Sequence, residues 1–313
     1  YVMIRNKHKI RWKYRWIKGI WIMLDFRVYT FLAVCRHMNY TKAAEELHIT
    51  QPAVSQHIRY LETLYGVRLF ISEGKKVHLS PAGERLLQAA TTLKNDEAHL
   101  KELLACVPEQ APTLRFGTTR TIGESVISTP LASYIHRHPD ADIRVSIGNT
   151  DELLHKLSNG DIQFAMVEGY YDERIYDSLV YRTEPFIPVC ASCHRFKREP
   201  GQLKDLLGEH LLIREPGSGT RDILEKNLEI KNIRLTDFAH MTEVGSMHVI
   251  LQLLEKDAGV TFLYRTAVEE GIEDGRIREL QLRDFQMEHD FAFIWNKGSI
   301  YGDVYREICR ELQ

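Results

Sequence analysis

Apolar residues between Tyr40 and Phe70 recur with the spacing of two short helices joined by a tight turn. One face of the first helix carries Ala43, Ala44 and Leu47, and one face of the second carries Val54, Ile58, Leu61 and Leu64. The turn lies at residues 48–50, where Thr50 is a favourable N-cap, and Pro52 falls in the first turn of the second helix. The pattern predicts a helix-turn-helix whose second helix spans about residues 51–65.

The outward face of the second helix is polar but carries few charges. Its side chains offer hydrogen-bond donors and acceptors that suit base edges and phosphates, whereas an ordinary surface helix more often carries pairs of Glu and Lys. We therefore expect this helix-turn-helix to contact double-stranded DNA. The predicted contact residues of the two helices are Thr41, Thr50, Gln51, Pro52, Ser55, Gln56 and Arg59.

Residues 71–80 form two short extended runs around a turn at Glu73 and Gly74, which predicts a β-hairpin. Lys75 and Lys76 lie near its tip, where their charges can meet DNA phosphates. A long helix is then predicted from about Ala82 to Leu104. One stripe of this helix needs a partner helix and so predicts pairing of two chains. The stripe consists of Leu86, Ala90, Leu93, Glu97, Leu100 and Leu104.

The segment from Leu24 to Leu104 resembles the N-terminal half of the LysR-type bacterial transcriptional regulators. Members of that family typically carry a TxAAxxLxxxQPAVSxxIxxLExxLGxxLF stretch followed by VxLTxAG. Matching residues stand in register at positions 41–47, 51–55, 61–62, 69–70 and 77–83. The chain departs from the family at Tyr65, where Leu is usual, and at Ser72, which replaces a common arginine of the wing. The resemblance implies a winged helix-turn-helix domain at residues 23–83 and a linker or dimerisation helix at residues 84–107.

From residue 113 onward, short apolar runs alternate with helical patterns, which is typical of an α/β domain. The order of these elements resembles the effector-binding half of the same family, whose fold is shared with periplasmic binding proteins. The resemblance implies two lobes with a cleft between them, at residues 113–313. Lobe 1 would comprise about residues 113–185 and 265–313, and lobe 2 about residues 186–264. The chain as a whole is therefore expected to be an α+β multidomain protein.

Three turns in this domain, at residues 117–123, 214–221 and 243–247, follow a predicted strand and open a predicted helix. Each supplies hydroxyls and free backbone N–H groups, which favour an anion, and glycine, which lets a ligand approach. The alternative is that Ser and Thr simply cap helices, each stabilising its helix by about 1 kcal/mol. Ligands gather at the carboxyl ends of strands in open α/β sheets, so we expect the turns to hold one small anionic effector. The predicted effector-binding residues are Thr118, Thr119, Arg120, Gly217, Ser218, Gly219, Thr220 and Ser246, with Arg214 as a second source of positive charge.

The resemblance also implies how such a protein works. A homodimer or homotetramer would bind promoter DNA, with RNA polymerase as a further partner. Two recognition helices would enter successive major grooves about 34–36 Å apart. An effector with different affinity for the two arrangements of the lobes would change how the subunits pack.

Charge and the chain's first residues add two expectations. The net charge is only −2, so affinity for DNA must come from the placement of basic residues and from doubling in a dimer. Residues 1–22 hold seven Lys and Arg and no acid, and they precede a family-like start at Met23. We interpret them as a basic extension that is disordered or not native, and the alternative is a basic arm on DNA or a membrane.

The sequence shows neither the pattern of a signal peptide nor a run of about 18 apolar residues. We therefore expect a cytoplasmic protein with no membrane partner.

The sequence contains few motifs that indicate catalysis or metal binding. The five cysteines are scattered, and the CxxC at Cys190–Cys193 lacks the second CxxC of a zinc site and the helix of a thioredoxin-like site. No HExxH, GxSxG or P-loop pattern occurs, and the histidines lack ligand spacing. We therefore expect no catalytic residues, no metal and no cofactor. A solute-binding or enzymatic protein that uses the α/β cleft is the alternative, and the helix-turn-helix disfavours it.

Overall fold

The computed structural model describes residues 24–73, 76–105 and 113–313. The expectations for residues 1–22 and for Lys75 lie outside these described residues. The chain divides into two compact units between Ala82 and Gly83.

The first unit packs three helices around one apolar core and adds a two-stranded hairpin. Its elements are α1 Phe26–His37, α2 Tyr40–Glu46, α3 Gln51–Tyr65, β1 Phe70–Glu73 and β2 Lys76–Leu79. The strands pair antiparallel, with Phe70 opposite Leu79. The predicted helix-turn-helix and its wing are thus confirmed. Helix α1 was not predicted as a separate element, because residues 30–35 form one continuous buried run without a visible period.

Local hydrogen bonds explain where these helices begin and end. The side chain of Asn39 caps α2 by accepting from two backbone N–H groups, and Thr50 caps α3 by accepting from the Ala53 N–H. Helix α3 ends at Gly66, whose φ of 67° lies in the left-handed region that glycine adopts readily. The carboxylate of Glu62 accepts from the Leu69 N–H at 2.9 Å and so fixes the chain entering the wing.

The second unit is an α/β domain preceded by a long helix, α4 Pro81–Ala105, whose residues from Gly83 onward belong to this unit. Its first half continues with β3 Leu114–Thr119, α5 Arg120–Ser125, α6 Ser128–Arg137, β4 Ile143–Gly148, α7 Thr150–Asn159, β5 Phe164–Glu168 and β6 Tyr176–Ala191. Its second half contains β7 His210–Ile213, α8 Gly219–Ile230, β8 His240–Glu243, α9 Met247–Glu255, β9 Val260–Tyr264, α10 Arg265–Glu273, β10 Ile277–Glu279, β11 Glu288–Asn296 and α11 Gly302–Glu311.

Strand β6 is 16 residues long and runs through both lobes. Its residues 176–185 pair antiparallel with β11, and from Phe186 onward it pairs with β9 and β10 instead. The sheet order in lobe 1 is β4-β3-β5-β11-β6, and in lobe 2 it is β6-β9-β7-β8 with β10 on β6. Parallel pairs join β3 to β4 and β5, and β7 to β8 and β9. The carboxyl ends of these parallel strands are where a ligand site is expected.

Lobe 2 extends further along the chain than expected. Strand β10 pairs with β6 at residues 189–191, and Val268 of α10 packs in the same apolar cluster as Val189 and Leu212. Residues 265–279 therefore belong to lobe 2, and the chain is paired in lobe 1 again from Glu288, where β11 begins. The boundary expected at residue 265 is wrong, because the chain after β9 stays in lobe 2 until β10 has paired with β6, a long-range pairing that no local pattern in the sequence shows.

Helix α4 lies against lobe 1 through polar contacts. The Asn95 side-chain amide donates to the Leu157 carbonyl at the end of α7, at 2.7 Å. Asp96, which is largely buried, accepts from the Ser299 hydroxyl at 2.6 Å and from the Ile300 N–H at 3.0 Å. These bonds fix α4 on the domain that contains the cleft.

Candidate nucleic-acid interface and effector cleft

Helix α3 exposes the polar face that the sequence predicted. Gln51, Pro52, Gln56 and Arg59 are exposed, while Ser55 is half-buried and accepts from the Gln51 side-chain amide at 3.0 Å. The opposite face is held against the core by Val54, Ile58 and Leu61. The 3.6-residue period therefore separates the residues that stabilise the helix from those that can contact a partner.

The other predicted contact residues of this unit lie at its surface. Thr41 is exposed at the start of α2, and Thr50 is exposed while its side chain caps α3. Lys76 is exposed at the start of β2. The first unit thus presents hydroxyl, amide and cationic groups at the helix starts, along α3 and on the wing.

One basic residue beside this face was missed from the sequence. An open groove of about 560 Å³ lies at the end of α3, lined by Arg59, Glu62, Thr63, Gly66, Val67 and Arg68. The Arg68 side chain is 82% exposed and lies 3.2 Å from the Glu62 carboxylate. Its position directly after the glycine-capped end of α3 is the signal that could have identified it.

The cleft of the second unit is built around a residue that was not predicted from the sequence, Glu168 at the carboxyl end of β5. Its side chain is enclosed, and burial raises the pKa of this carboxyl despite hydrogen bonds from Thr119 and Thr121 and the charge of Arg214. The signal in the sequence was a lone acid that ends the apolar run FAMV and precedes Gly169. An acid in that place suggests a buried polar site rather than a surface turn.

Threonine hydroxyls from both lobes converge on the Glu168 carboxyl. Thr119 donates to one oxygen, and Thr220, from the start of α8 in lobe 2, donates to the other at 3.3 Å. The Thr121 and Thr220 hydroxyls lie 3.3 Å apart. The structure therefore brings together Thr119 and Thr220 of the predicted site, with Thr121 and Glu168 in addition.

Thr118 lies on the other side of strand β3 from Thr119, because successive residues of a strand point to opposite faces. A Cβ on Gly123 would lie 2.7 Å from the Thr118 hydroxyl, which is buried without a hydrogen-bond partner among the described residues. Two residues further on, the buried Arg120 Nε also lacks a hydrogen-bond partner among the described residues, although it lies 3.8 Å from a Glu215 carboxylate oxygen. Buried polar groups are rarely left unsatisfied, so these two atoms differ from the hydroxyls of Thr119 and Thr220, which are engaged.

The two predicted arginines of the cleft face carboxylates. Arg214 is only 2% exposed and forms two hydrogen bonds, of 2.9 and 3.1 Å, with Glu215. Although burial opposes the shift, the hydrogen bond from Arg214 lowers the pKa of the Glu215 carboxyl. Arg120 lies 3.8 Å from Glu215 and 3.7 Å from Glu152. Positive charge is therefore present in the cleft but is already balanced by acids.

Glycines allow the lobes to touch beside this cluster. A Cβ on Gly219 would overlap the Glu168 carbonyl oxygen, and a Cβ on Gly169 would lie 2.7 Å from the Cα of Gly219. The Gly217 carbonyl accepts from the Asp151 N–H at 3.3 Å. The buried Ser218 occupies the N-cap position of α8 but forms no capping hydrogen bond through its side chain.

The alternative interpretation of the turns, as plain helix caps, holds for one of them. The Ser246 side chain accepts from the Val249 N–H and caps α9, so its hydroxyl already has a partner. Thr119 and Ser218 stand at N-cap positions without side-chain capping bonds. The structure therefore separates Ser246 from the hydroxyls gathered at Glu168.

Four of the five cysteines lie among the described residues. Cys35, Cys190, Cys193 and Cys309 are free, and only Cys193 of these four is exposed. Burial raises the pKa of the Cys190 thiol to about 11, mainly by disfavouring the thiolate. Within residues 24–73, 76–105 and 113–313, no group of three or more His, Cys, Asp or Glu side chains is arranged to hold a metal ion.

Among the described helices, none is both long and apolar enough to cross a membrane.

The fold and the two sites define a class: a winged helix-turn-helix unit joined by a long helix to a two-lobed α/β domain with a polar cleft. Two family models match this arrangement. The model described as "Bacterial regulatory helix-turn-helix protein, lysR family" matches residues 27–84. The model described as "LysR substrate binding domain" matches residues 108–309. The chain therefore belongs to the LysR family, and it is a DNA-binding transcriptional regulator with a ligand-binding domain.

Individual relatives agree with this assignment. The chain is 29% identical over 273 residues to a RuBisCO operon transcriptional regulator of Acidithiobacillus ferrooxidans, covering 86% of each chain. Its fold is similar to that of a hydrogen-peroxide-bound mutant of Corynebacterium glutamicum OxyR, with a TM-score of 0.57, 24% identity and coverage of 92% of this chain and 91% of that chain. The regulatory domain of Synechocystis CcmR in complex with 2-PG gives a TM-score of 0.55 at 17% identity, covering 63% of this chain and 94% of that domain. At these identities the two structures establish similarity of fold alone.

Proposed function

We propose that α3 reads a promoter sequence in the DNA major groove and that a small anion bound between the lobes controls the outcome. In this proposal Gln51, Ser55, Gln56 and Arg59 contact base edges. The observation that carries it is the exposed polar face of α3, whose side chains are presented together by a helix fixed through its opposite face. Thr41, Thr50, Lys75 and Lys76 position the domain on phosphates, and Pro52, which has no N–H to donate, starts the recognition helix beside them.

The proposed readout can be tested on promoter DNA with one substitution. Arg59→Ala should weaken binding to the specific site by about 1–3 kcal/mol, because a lost base contact typically costs that much. Thermal unfolding should be unchanged, since Arg59 is exposed. Arg310→Ala, an exposed arginine on α11, is the matched control for loss of one positive charge. Equal affinity of wild type and Arg59→Ala in a gel-shift titration would remove this residue from the readout.

The anionic effector is supported by the two unsatisfied polar atoms at the start of α5, the Thr118 hydroxyl and the Arg120 Nε. A small anion could accept from both, with the glycines and hydroxyls of residues 217–220 closing over it from lobe 2. The CcmR regulatory domain, which has the same fold, is in complex with 2-PG. Thr119, on the opposite side of β3, and Thr220 of lobe 2 are held by Glu168 beside this site, while Ser246 keeps its role as the cap of α9.

A second substitution tests the effector site separately from the DNA site. Thr118→Val keeps the volume and removes the hydroxyl, so it should abolish the response of DNA binding to an anion such as 2-PG. DNA binding without the anion should persist, because Thr118 lies in the other unit of the chain. Thr236→Val, at an exposed threonine of lobe 2, is the control. An undiminished anion response in Thr118→Val would exclude this hydroxyl from the site.

We further propose that the protein acts in the cytoplasm as a homodimer or homotetramer, with RNA polymerase as a partner on the promoter. Leu93 and Leu104 of the predicted stripe on α4 are 51% and 76% exposed, which leaves an apolar surface for a second copy of the helix. Sedimentation of Leu93→Glu should reveal a smaller assembly than wild type if α4 pairs in this way. An unchanged sedimentation coefficient would place the subunit interface elsewhere.

A further inference from the structure

The Glu168 carboxyl joins the two lobes through Thr119, which stands between Thr118 and Arg120, the two residues of the proposed effector site. It is enclosed on all sides, and both of its oxygens accept hydroxyls, one from Thr119 in lobe 1 and one from Thr220 in lobe 2. The main chain of Glu168 is also engaged, because its carbonyl accepts from Thr150 at the start of α7 at 3.2 Å. The Glu168 carboxyl therefore already accepts the hydrogen bonds that these hydroxyls could otherwise donate to an anion.

No cation is placed to neutralise this carboxyl directly. Among the described residues Glu168 forms no ion pair, and the positive charge that acts on it, Arg214, is held by Glu215 through two hydrogen bonds. The other titratable group that interacts with it is the buried Tyr264, whose hydroxyl has no hydrogen-bond partner among the described residues. Since burial disfavours the charged form, the pKa of the Glu168 carboxyl is already raised before any ligand binds.

We propose that Glu168 takes up one proton from solvent when a small anion enters the cleft, so that the effector domain responds to anion concentration and pH together. This inference rests on the anion site proposed above. An anion held at Thr118 and Arg120 would lie beside Thr119, whose hydroxyl holds the Glu168 carboxyl. Two negative charges on either side of one residue, in a site shielded from water, cannot both remain ionised at little cost. A protonated Glu168 is neutral, and its O–H becomes a donor that can turn toward the anion.

The direction of the pH effect follows from this proton uptake. Burial sets the pKa of Glu168 in the free protein above its ordinary value, and a bound anion raises it further. Below the free value the carboxyl is already protonated, so anion affinity is high and constant. Between the free and the bound values the affinity falls by up to tenfold per pH unit as pH rises, because binding must then take up a proton. Above the bound value the affinity reaches a low plateau.

Sulfate is a suitable probe, because it stays a dianion over the range of about pH 5 to 8 in which Glu in solution is ionised. Calorimetric titration of the full chain with sulfate, in two buffers of different ionisation heat, counts the protons taken up. We expect up to one proton per sulfate and an affinity that falls with pH. Glu168→Gln has nearly the same shape and cannot ionise, so its sulfate affinity should be flat with pH and at least tenfold above wild type at the alkaline end.

Glu215→Gln is the matched control, because Glu215 lies in the same cleft. Burial opposes ionisation of its carboxyl, but the hydrogen bond and the charge of Arg214 help to lower its pKa. It should change the affinity while keeping the pH slope. Sulfate binding to the wild-type chain with no proton uptake and no pH slope would overturn the role of Glu168 and leave the anion site standing. Absence of sulfate binding at every pH, in wild type and Glu168→Gln alike, would reject the anion site and this inference together. If Glu168→Gln loses its cooperative unfolding, the proton count on the wild-type chain decides alone.

Discussion

The two units of this regulator use polar side chains in opposite ways. On α3 the candidate contact residues Gln51, Gln56 and Arg59 are exposed, and the helix is held by the apolar residues behind them. In the cleft, Glu168 and the threonines around it are buried and bonded mainly to one another. A surface site can therefore change its chemistry without changing the fold, whereas in the cleft binding and stability depend on the same atoms.

The largest effect should come from the closest approach of the lobes. Gly219→Ala would place a methyl group against the Glu168 carbonyl and 2.8 Å from the Thr150 hydroxyl, so a backbone must move. We expect a loss of about 3 kcal/mol in the free energy of unfolding, at the upper end of overpacking costs, together with loss of sulfate binding. Urea unfolding and calorimetry would measure the two effects.

Gly208→Ala is the control for this substitution, because a Cβ there meets nothing within 4 Å. It should leave stability within about 0.5 kcal/mol of wild type. If Gly219→Ala were equally well tolerated, the lobes would not depend on this contact, and the contrast between a rigid cleft and a tolerant α3 surface would fail.

The same contrast explains what the sequence could predict. The residues of α3 lie within 15 positions of one another, so the helical period alone separates the exposed from the buried set. Glu168, Thr119 and Thr220 lie on three different elements and meet only because β3, β5 and the start of α8 are adjacent in the fold. The turns were predicted as sites, but Glu168 at their centre was not. The acid that ends the apolar run FAMV suggests a buried polar site, yet only the fold shows that distant hydroxyls are its partners.

The single sequence also could not show which hydroxyls were free. Ser218 and Ser246 stand in similar turns before a helix, yet only Ser246 caps its helix through the side chain. Thr118 and Thr119 are neighbours, yet only Thr119 reaches Glu168. The difference between the two serines depends on side-chain rotamers, which periodicity does not encode. The difference between the two threonines follows the alternation of a strand, but only the pairing of β3 with β5 shows which side meets Glu168.

A smaller effect is expected where helix α4 contacts lobe 1. Asp96→Ala would leave the Ser299 hydroxyl and the Ile300 N–H without their acceptor in a largely buried contact. Groups left unsatisfied in this way cost about 1–3 kcal/mol, so thermal unfolding of the second unit should shift downward accordingly. Asp303→Ala, at an almost fully exposed aspartate on α11, should be neutral. An equally small shift for both variants would mean that α4 is only loosely held on the domain.

The smallest effect is expected on the wing. It also separates most sharply the exposed polar residues of the first unit from the buried ones of the cleft. Lys76 is exposed and carries a single charge at the start of β2, so Lys76→Ala should leave stability unchanged. Because a phosphate contact is independent of sequence, affinity should fall by a similar factor on specific and nonspecific DNA. The slope of log affinity against log salt concentration should become shallower by about 0.9, the value for one released counterion on duplex DNA. Arg59→Ala provides the contrast, since its main loss should be confined to the specific site. If Lys76→Ala instead weakened only specific binding, the wing would be reading bases, and α3 would not be the sole element that sets the sequence preference.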